Sequence, residues 1–471
     1  MLNLRTYQTQ LIADIRAKFK QGHKRVIMQA PTGSGKTVIF SFMVKQSSER
    51  GLKCLILTDR VELLEQAGGT FDRVGIQYEN ITAETRSIPT SRVLVAMVET
   101  VKRRVKARLD FSILLKSVQL LIIDECHKRN FDDVFAFLSP DCYVIGCTAT
   151  PIRTGKLKPL SEFFTSLVEG PSIGSLISDG YLSKPEYFGV SVDLSKVKMK
   201  AGEFDERDME KVYGQTKVFE GLQHNLKLHA MDMKTIIFCP SVASSLQVAR
   251  ELGCLHVDGS MPAGERDRVL NAFENTPGAI LTNCGITTTG YDCPSIECIV
   301  LYRATTSLPL YLQMIGRGSR TTRTKSRFHI LDFGMNVQRF GYWHIDRKWS
   351  LDNAPKKNRN KVDTFPIKFC PSCGAIVSVN TKTCEYCGYI WPVTERERVF
   401  AELEKLSYAE VQRRVGEAKT MEEKEAIRVA KGYKVGYLLH KFTEEKEFKE
   451  YAQLRNYNPM WVKIQVKNYL K

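Results

Sequence analysis

The chain has 471 residues, of which 43% are hydrophobic and 26% charged, and its formal net charge is +17. The length exceeds what one hydrophobic core ordinarily serves, and the proportions are those of a soluble globular protein, so a single small domain is excluded. No apolar run approaches the roughly 20 residues of a membrane span, and the positive surplus points to a polyanionic partner, nucleic acid first, with plain solubility as the other reading. The N-terminus, "MLNLRTYQTQ", lacks the basic and apolar regions of a signal peptide. A cytoplasmic location, in a bacterium or a phage-infected host, is expected.

The first predicted strand is "VIMQA" (26–30), followed by "CLILT" (54–58), "VLVAM" (93–97), "LLIID" (120–124) and "YVIGC" (143–147). None alternates polar with apolar residues. Strands buried on both faces look like this, so a parallel sheet covered by helices is predicted. Residues 151 to about 225 are less regular and are read as the connection. The cadence resumes with "TIIFC" (235–239), "CLHVD" (254–258), "AILTN" (279–283), "CIVLY" (298–302) and "FHILD" (328–332). Two α/β lobes in tandem are therefore predicted, residues 1–182 and 183–350. Near the end of the second, "QMIGRGSR" (313–320) sets two arginines among glycines, a stretch too flexible for a good helix. A basic linker, "APKKNRNK", and a four-cysteine segment follow within 351–394. From 395 to 471, "ERERVFAELEKL" and "EEKEAIRVAKGY" have helical spacing and mixed charge, which predicts a helical tail.

Three groups of residues carry chemistry. "APTGSGKT" (30–37) follows the first strand and fits a P-loop, with Ala30 in place of the first glycine. Thr32, Gly33, Ser34 and Gly35 would curl backbone N–H groups around phosphates. Lys36 would reach the β- and γ-phosphates, and the Thr37 hydroxyl would ligate Mg²⁺. "DECH" ends the fourth run; buried carboxylates need a cation nearby. Asp124 is placed to hold Mg²⁺, and Glu125 to orient and deprotonate water. "CPSCG" and "CEYCG" place Cys370, Cys373, Cys384 and Cys387 as two CxxC pairs, the spacing of one structural Zn²⁺. The ribbon is expected to lie outside both lobes. The remaining nine of the 13 cysteines are read as core residues of a reducing compartment.

"LRTYQ" (4–8), "TDR" (58–60), "ECH" (125–127), "TAT" (148–150), "TTGYD" (288–292) and "QMIGRGSR" occur in the order of superfamily 2 helicases, which the first 350 residues or so resemble. The resemblance implies two RecA-like lobes. It implies that Gln8 reads adenine, supported by Arg5 and Tyr7, and that Gly290 and Asp292 approach the nucleotide from the second lobe. Thr148 and Thr150 would couple hydrolysis to lobe movement. Arg317 and Arg320 would be arginine fingers, and Gln313 would pair with His127. Arg60 and the Val98–Thr100 region would touch nucleic acid; the basic run behind them (Lys102, Arg103, Arg104) supports that track, whereas "RTTRTKSR" (320–327) reads as a solvated face.

"DECHKRN", "TATPIRTGK", "AGERDRVLNAFEN", "TTGYDCPSIE" and "LYLQMIGRGSR" further resemble the RadD family and phage branch-migration helicases. The expected protein is an ATP-dependent DNA helicase or translocase using ATP, Mg²⁺ and Zn²⁺. Its substrates would be forked or branched intermediates of repair, recombination or replication, with single-strand-binding or recombination proteins as partners. An RNA helicase and a nucleotide-gated DNA clamp without unwinding are the alternatives.

Overall fold

A computed structural model describes residues 4–59, 61–153, 157–190, 192–200, 202–287, 291–352, 365–392, 420–430 and 435–470. It divides into two compact units, Met1–Tyr389 and Ile390–Lys471. Arg60, Gly290, the linker run 354–361 and the tail segment 393–419 lie outside the described residues.

Seven strands form the first sheet: β1 (Arg25–Gln29), β2 (Cys54–Thr58), β3 (Glu79–Ile81), β4 (Val93–Met97), β5 (Leu120–Asp124), β6 (Tyr143–Thr148) and β7 (Ser166–Glu169). They are parallel, in the order β3-β4-β2-β5-β6-β1-β7. Helices α1 (Thr6–Lys20), α2 (Lys36–Glu49) and α3 (Val61–Val74) cover one face; α4 (Val98–Ala107) and α5 (Leu109–Lys116) cover the other. Neighbouring residues of one strand enter different cores. Val26 and Met28 pack with Leu11 and Ile15, while Ile27 between them belongs with Val101, Phe111 and Leu114. That is why the apolar runs show no alternation.

After α6 (Ile173–Ser178), β8 (Lys184–Gly189) begins the second sheet, and the hairpin β9 (Met199–Lys200) and β10 (Glu203–Phe204) precedes α7 (Glu206–Tyr213) and α8 (Thr216–His229). Then come β11 (Thr235–Phe238), α9 (Val242–Leu252), β12 (Leu255–Asp258), α10 (Ala263–Asn275), β13 (Ile280–Cys284), β14 (Cys298–Leu301), α11 (Leu308–Gly316), β15 (Arg327–Asp332) and α12 (Asn336–Phe340). The six strands are again parallel, in the order β12-β13-β11-β14-β15-β8. These are the two RecA-like lobes.

All ten predicted runs are strands. The sequence reading missed β3, β7 and β8. β8 carries Lys184, Pro185 and Glu186, and its proline is tolerated because the strand lies at the sheet edge. A second correction concerns Gln313–Gly316, which is helical as the last part of α11. Tyr311, Leu312, Met314 and Ile315 are all buried there, and packing outweighs the poor local propensity.

The cysteine ribbon, strands β16 (Ile367–Phe369) and β17 (Ile376–Ser378), is not separate from the lobes. Gly189 N donates to Gly374 O at 3.0 Å, and Phe188 pairs with Ala375. Ile376 is buried in the second lobe's core. The ribbon thus covers the open edge of β8, which would otherwise present unpaired backbone groups.

The second unit holds the predicted helical tail. Its helices Met421–Ala430, Val435–Leu439, Glu445–Leu454 and Pro459–Tyr469 share a core of Leu438, Phe442, Phe448, Tyr451 and Val462. Buried Glu425 pairs with Arg428 at 2.6 Å and accepts from Tyr451 Oη at 2.9 Å. No described helix is long and apolar enough to cross a membrane.

Because Ile376 belongs to the second lobe's core, Ile376→Ala should destabilise the motor, by about 2–5 kcal/mol. Urea unfolding followed by the loss of ATPase activity reads this directly; an unchanged midpoint would return the ribbon to an independent module.

Candidate active site between the lobes

The strands of the first sheet run the same way, so the loops after β1, β2, β4, β5 and β6 gather at its carboxyl edge. Open α/β sheets bind ligands there. The loop after β1 carries Gly33 at φ +85° and Gly35 at φ +79°, left-handed conformations that side chains resist. α2 starts at Lys36, so its unpaired N–H groups face the loop. Lys36 Nζ donates to Ala30 O at 3.4 Å.

The start of α1 is docked against this loop. Gln8 Nε2 and Tyr7 Oη donate to Ser34 O at 3.1 and 2.7 Å. Gln8 Oε1 accepts from Arg5 N, and Arg5 donates to Tyr7 Oη. Arg5 also stacks over Tyr181, 4.5 Å from its centroid. A Cβ on Gly35 would lie 2.7 Å from Gln8 Nε2, so this packing requires glycine.

Asp124 and Glu125 lie side by side at the end of β5, both buried. Burial, and next the neighbouring Glu125, push the Asp124 carboxyl up to about 7. Burial also opposes ionisation of Glu125, but Lys36, His127, Lys128 and Arg317 outweigh it and hold Glu125 below the ordinary carboxylate range. Glu125 has φ +51°, a strained conformation for a side chain of this size. Asp124 Oδ1 accepts its backbone N–H at 3.0 Å, and Thr148 Oγ1 lies 3.5 Å from its Oε2. His127 Nδ1 is 2.8 Å from Thr148 Oγ1, and burial lowers its pKa. Thr148 accepts from Thr150 N, while Thr150 Oγ1 is buried without a partner. Lys128 pairs with Asp59 at 2.5 Å.

The arginine segment of the second lobe lies directly against the P-loop. A Cβ on Gly316 would lie 2.6 Å from Thr32 Cγ2; one on Gly33 would lie 2.9 Å from Leu182 Cδ2 and 3.2 Å from Ser319 Oγ. Arg317 is 6% exposed, donates to Tyr291 O at 2.5 Å, and is close enough to help keep Glu125 ionised. Arg320 pairs with Asp292 at 2.9 Å, and its NH1 is buried with no hydrogen-bond partner among the described residues. A buried guanidinium N–H without an acceptor has capacity left for an anionic group. Gln313 is buried, and no hydrogen bond joins it to His127 among the described residues.

Thr100 is half-buried near the start of α4. Lys102 is turned inward to Asp133 at 3.1 Å and Asn130 O at 3.2 Å. Arg104 donates to Thr82 O and Ala83 O. Arg103 is exposed. Two of the three cations expected to face nucleic acid are therefore engaged within the first lobe.

Lys325 sits in the run that reads as a solvated face. It is buried, and its Nζ donates to Pro294 O (2.7 Å), Ile296 O (2.5 Å) and Gly318 O (3.0 Å). It fastens the turn between the two arginines. Arg153 was missed as well: its side chain is 1% exposed and paired with Asp132 at 2.6 Å. Neither could be told from a surface cation by its sequence neighbours.

The four ribbon sulfurs all lie within 4.8 Å of one another. Cys370–Cys387 and Cys373–Cys384 are 3.5 and 3.8 Å apart, too far for a disulfide and near the roughly 3.8 Å edge of a tetrahedral zinc–thiolate site. Gly374 and Gly388 turn at φ +68° and +74°.

Three family models match: "Type III restriction enzyme, res subunit" over residues 1–153, "Helicase conserved C-terminal domain" over 217–322, and "Uncharacterised protein family UPF0547" over 368–392. A 51.5 kDa protein of a Lactococcus phage is 28% identical, over 83% of this chain and 84% of its own. The Saccharomyces cerevisiae protein IRC3, named as a candidate ATP-dependent helicase, is 32% identical over 70% of this chain; the match spans about half of IRC3, 51%. A fragment of a candidate HsdR subunit of a Vibrio vulnificus type I restriction enzyme shares the fold, with a TM-score of 0.59, 24% identity, and coverage of 72% of this chain and 67% of that one.

Lys325→Met should loosen the turn that carries Arg317 and Arg320. ATP turnover should fall about tenfold or more, because the guanidinium groups would be misplaced. Steady-state ATPase at saturating ATP checks this; wild-type turnover in a folded variant would show that the turn holds without its lysine.

Proposed function

From the premise that this chain belongs to the superfamily 2 helicases and hydrolyses ATP, we propose that it is a DNA translocase acting on forked or branched DNA. The contact of the arginine segment with the P-loop, and the pull of Arg317 on the Glu125 charge, support the mechanistic part of this reading. Restriction-enzyme subunits among its relatives favour DNA, as does the net charge of +17.

In this reading Lys36 and the N–H groups of residues 32–37 hold the triphosphate. Thr37 and Asp124 would hold Mg²⁺; a hydroxyl and a buried carboxylate are hard oxygen donors that suit it. Bound there, the ion would neutralise charge on the phosphates. Glu125, kept ionised, takes the proton of the attacking water. Arg320, through its unpartnered NH1, and Arg317 stabilise charge on the transferring group, an effect of about 10³–10⁵ in other NTPases. Asp292 orients Arg320, and Gln8 with Tyr7 and Arg5 forms the base side of the pocket. When the phosphates leave, the arginines lose their partner and the lobes can separate, which turns hydrolysis into movement along a strand. The ribbon's four thiolates would hold one Zn²⁺ in a structural role.

Three outcomes are expected. Glu125→Gln should retain ATP and lower hydrolysis by about 10²-fold or more; near-normal turnover would remove Glu125 from the reaction. The wild-type protein should displace strands from forked DNA with ATP, and not from a matched RNA fork. Unwinding of RNA alone, or ATPase without unwinding of either, would replace this reading with one of its alternatives. Cys384→Ser with Cys387→Ser should abolish bound zinc by elemental analysis and lower the thermal midpoint of the motor, because the ribbon is seated on β8.

A further inference from the structure

Arg153 lies just beyond the "TAT" stretch, and its guanidinium is threaded into the loop that follows β5. Nε donates to His127 O at 2.8 Å; NH2 donates to Lys128 O at 3.0 Å and Cys126 O at 3.4 Å. The same group forms a fork with Asp132, NH2 to Oδ1 at 2.6 Å and NH1 to Oδ2 at 3.2 Å. One buried side chain thus holds three consecutive carbonyls immediately after the strained Glu125. A backbone at φ +51° persists only where its surroundings over-determine it. Arg153 supplies that constraint, and lysine cannot copy it, because only a planar fork satisfies so many acceptors at fixed angles.

The clamp continues toward α4. Asp132 and Asp133 are neighbours on one 3₁₀ helix, Arg129–Phe137. Lys102 of α4 bonds Asp133 Oδ2 at 3.1 Å and Asn130 O at 3.2 Å, with its side chain 15% exposed. α4 begins directly after β4, at the same sheet edge as the catalytic loops. A contiguous set of charged contacts therefore joins α4 to the loop of Glu125.

We propose that Arg153 and Asp132 are positioning residues for ATP hydrolysis, and that Lys102 with Asp133 connects them to α4, so that strand binding on α4 is transmitted to Glu125. The connection to a bound strand rests on the proposed function. The positioning role rests only on ATP hydrolysis.

The test uses the full-length chain and measures ATPase without nucleic acid, then with saturating single-stranded oligonucleotide, DNA or RNA. Arg153→Lys and Asp132→Asn should each lower kcat about tenfold or more while KM for ATP moves less than about twofold, because the geometry of the catalytic loop is lost and the phosphate cradle is not. The double variant should be little worse than either single one, since both break the same clamp. Asp133→Asn should keep the basal rate and lose most of the stimulation by oligonucleotide. Lys102→Met should leave the slope of log affinity against log salt unchanged; a slope reduced by about one would make Lys102 a phosphate contact and overturn the link. Full stimulation in Asp133→Asn would overturn it too, and wild-type kcat in Arg153→Lys would overturn the positioning role. Should Arg153→Lys fail to fold, Asp132→Asn decides the same point. A wild-type enzyme stimulated by neither DNA nor RNA would sink the function reading and the link together, while the basal kcat values would still decide the clamp.

Discussion

The site depends on how closely two backbones approach. Thr32 and Gly33 of the P-loop lie against Gly316 and Ser319 of the second lobe and against Leu182 just before it, with no room for an added Cβ at either glycine. Arginine side chains are long, but a finger works only if its base is held near the charge it must meet. Contact between the two glycine-bearing segments brings Arg317 close enough to influence Glu125. A bulkier residue at Gly316 would push against Thr32 of the other lobe, and one at Gly33 would strain the P-loop itself as well.

That contact would be worthless if the arginine segment were loose, and the second lobe immobilises it from several sides. Ser183 N donates to Ser319 O at 2.7 Å, and Ser183 Oγ to Arg320 O. Lys325 fixes the carbonyl of Gly318 from beneath. Trp343, wholly buried, donates its indole N–H to Leu312 O on α11. The ribbon lies on the far edge of the same lobe, against β8, the strand that follows Ser183. Removing buried lysine or tryptophan here leaves backbone acceptors unsatisfied, which costs more than the bonds themselves contribute.

On the first lobe the constraint is electrostatic. Two acids buried side by side repel, so one is pushed toward its neutral form unless cations intervene. Glu125 is the acid that stays ionised, because Lys36, His127, Lys128 and Arg317 surround it. Three of these come from its own lobe and the fourth from the other. The charge on Glu125 is in this way held partly by a residue of the other lobe.

The strands and the phosphate, carboxylate and thiolate motifs were legible in the sequence, because each is a local pattern: a doubly buried strand is an apolar run, a cradle needs glycines at fixed offsets, and a tetrahedral thiolate site needs paired cysteines. Edge strand β8 was not legible, since its one polar flank and its proline erase the apolar run. Sequence by itself also counted the positive charges without telling them apart. Lys102, Arg104, Arg153 and Lys325 look like any surface cation, yet each is bonded to carbonyls or carboxylates 5 to 31 positions away. Only the tertiary structure decides which cations face solvent and which hold the site together, because the partners that make a buried charge tolerable are brought to it by folding and not by the chain beside it.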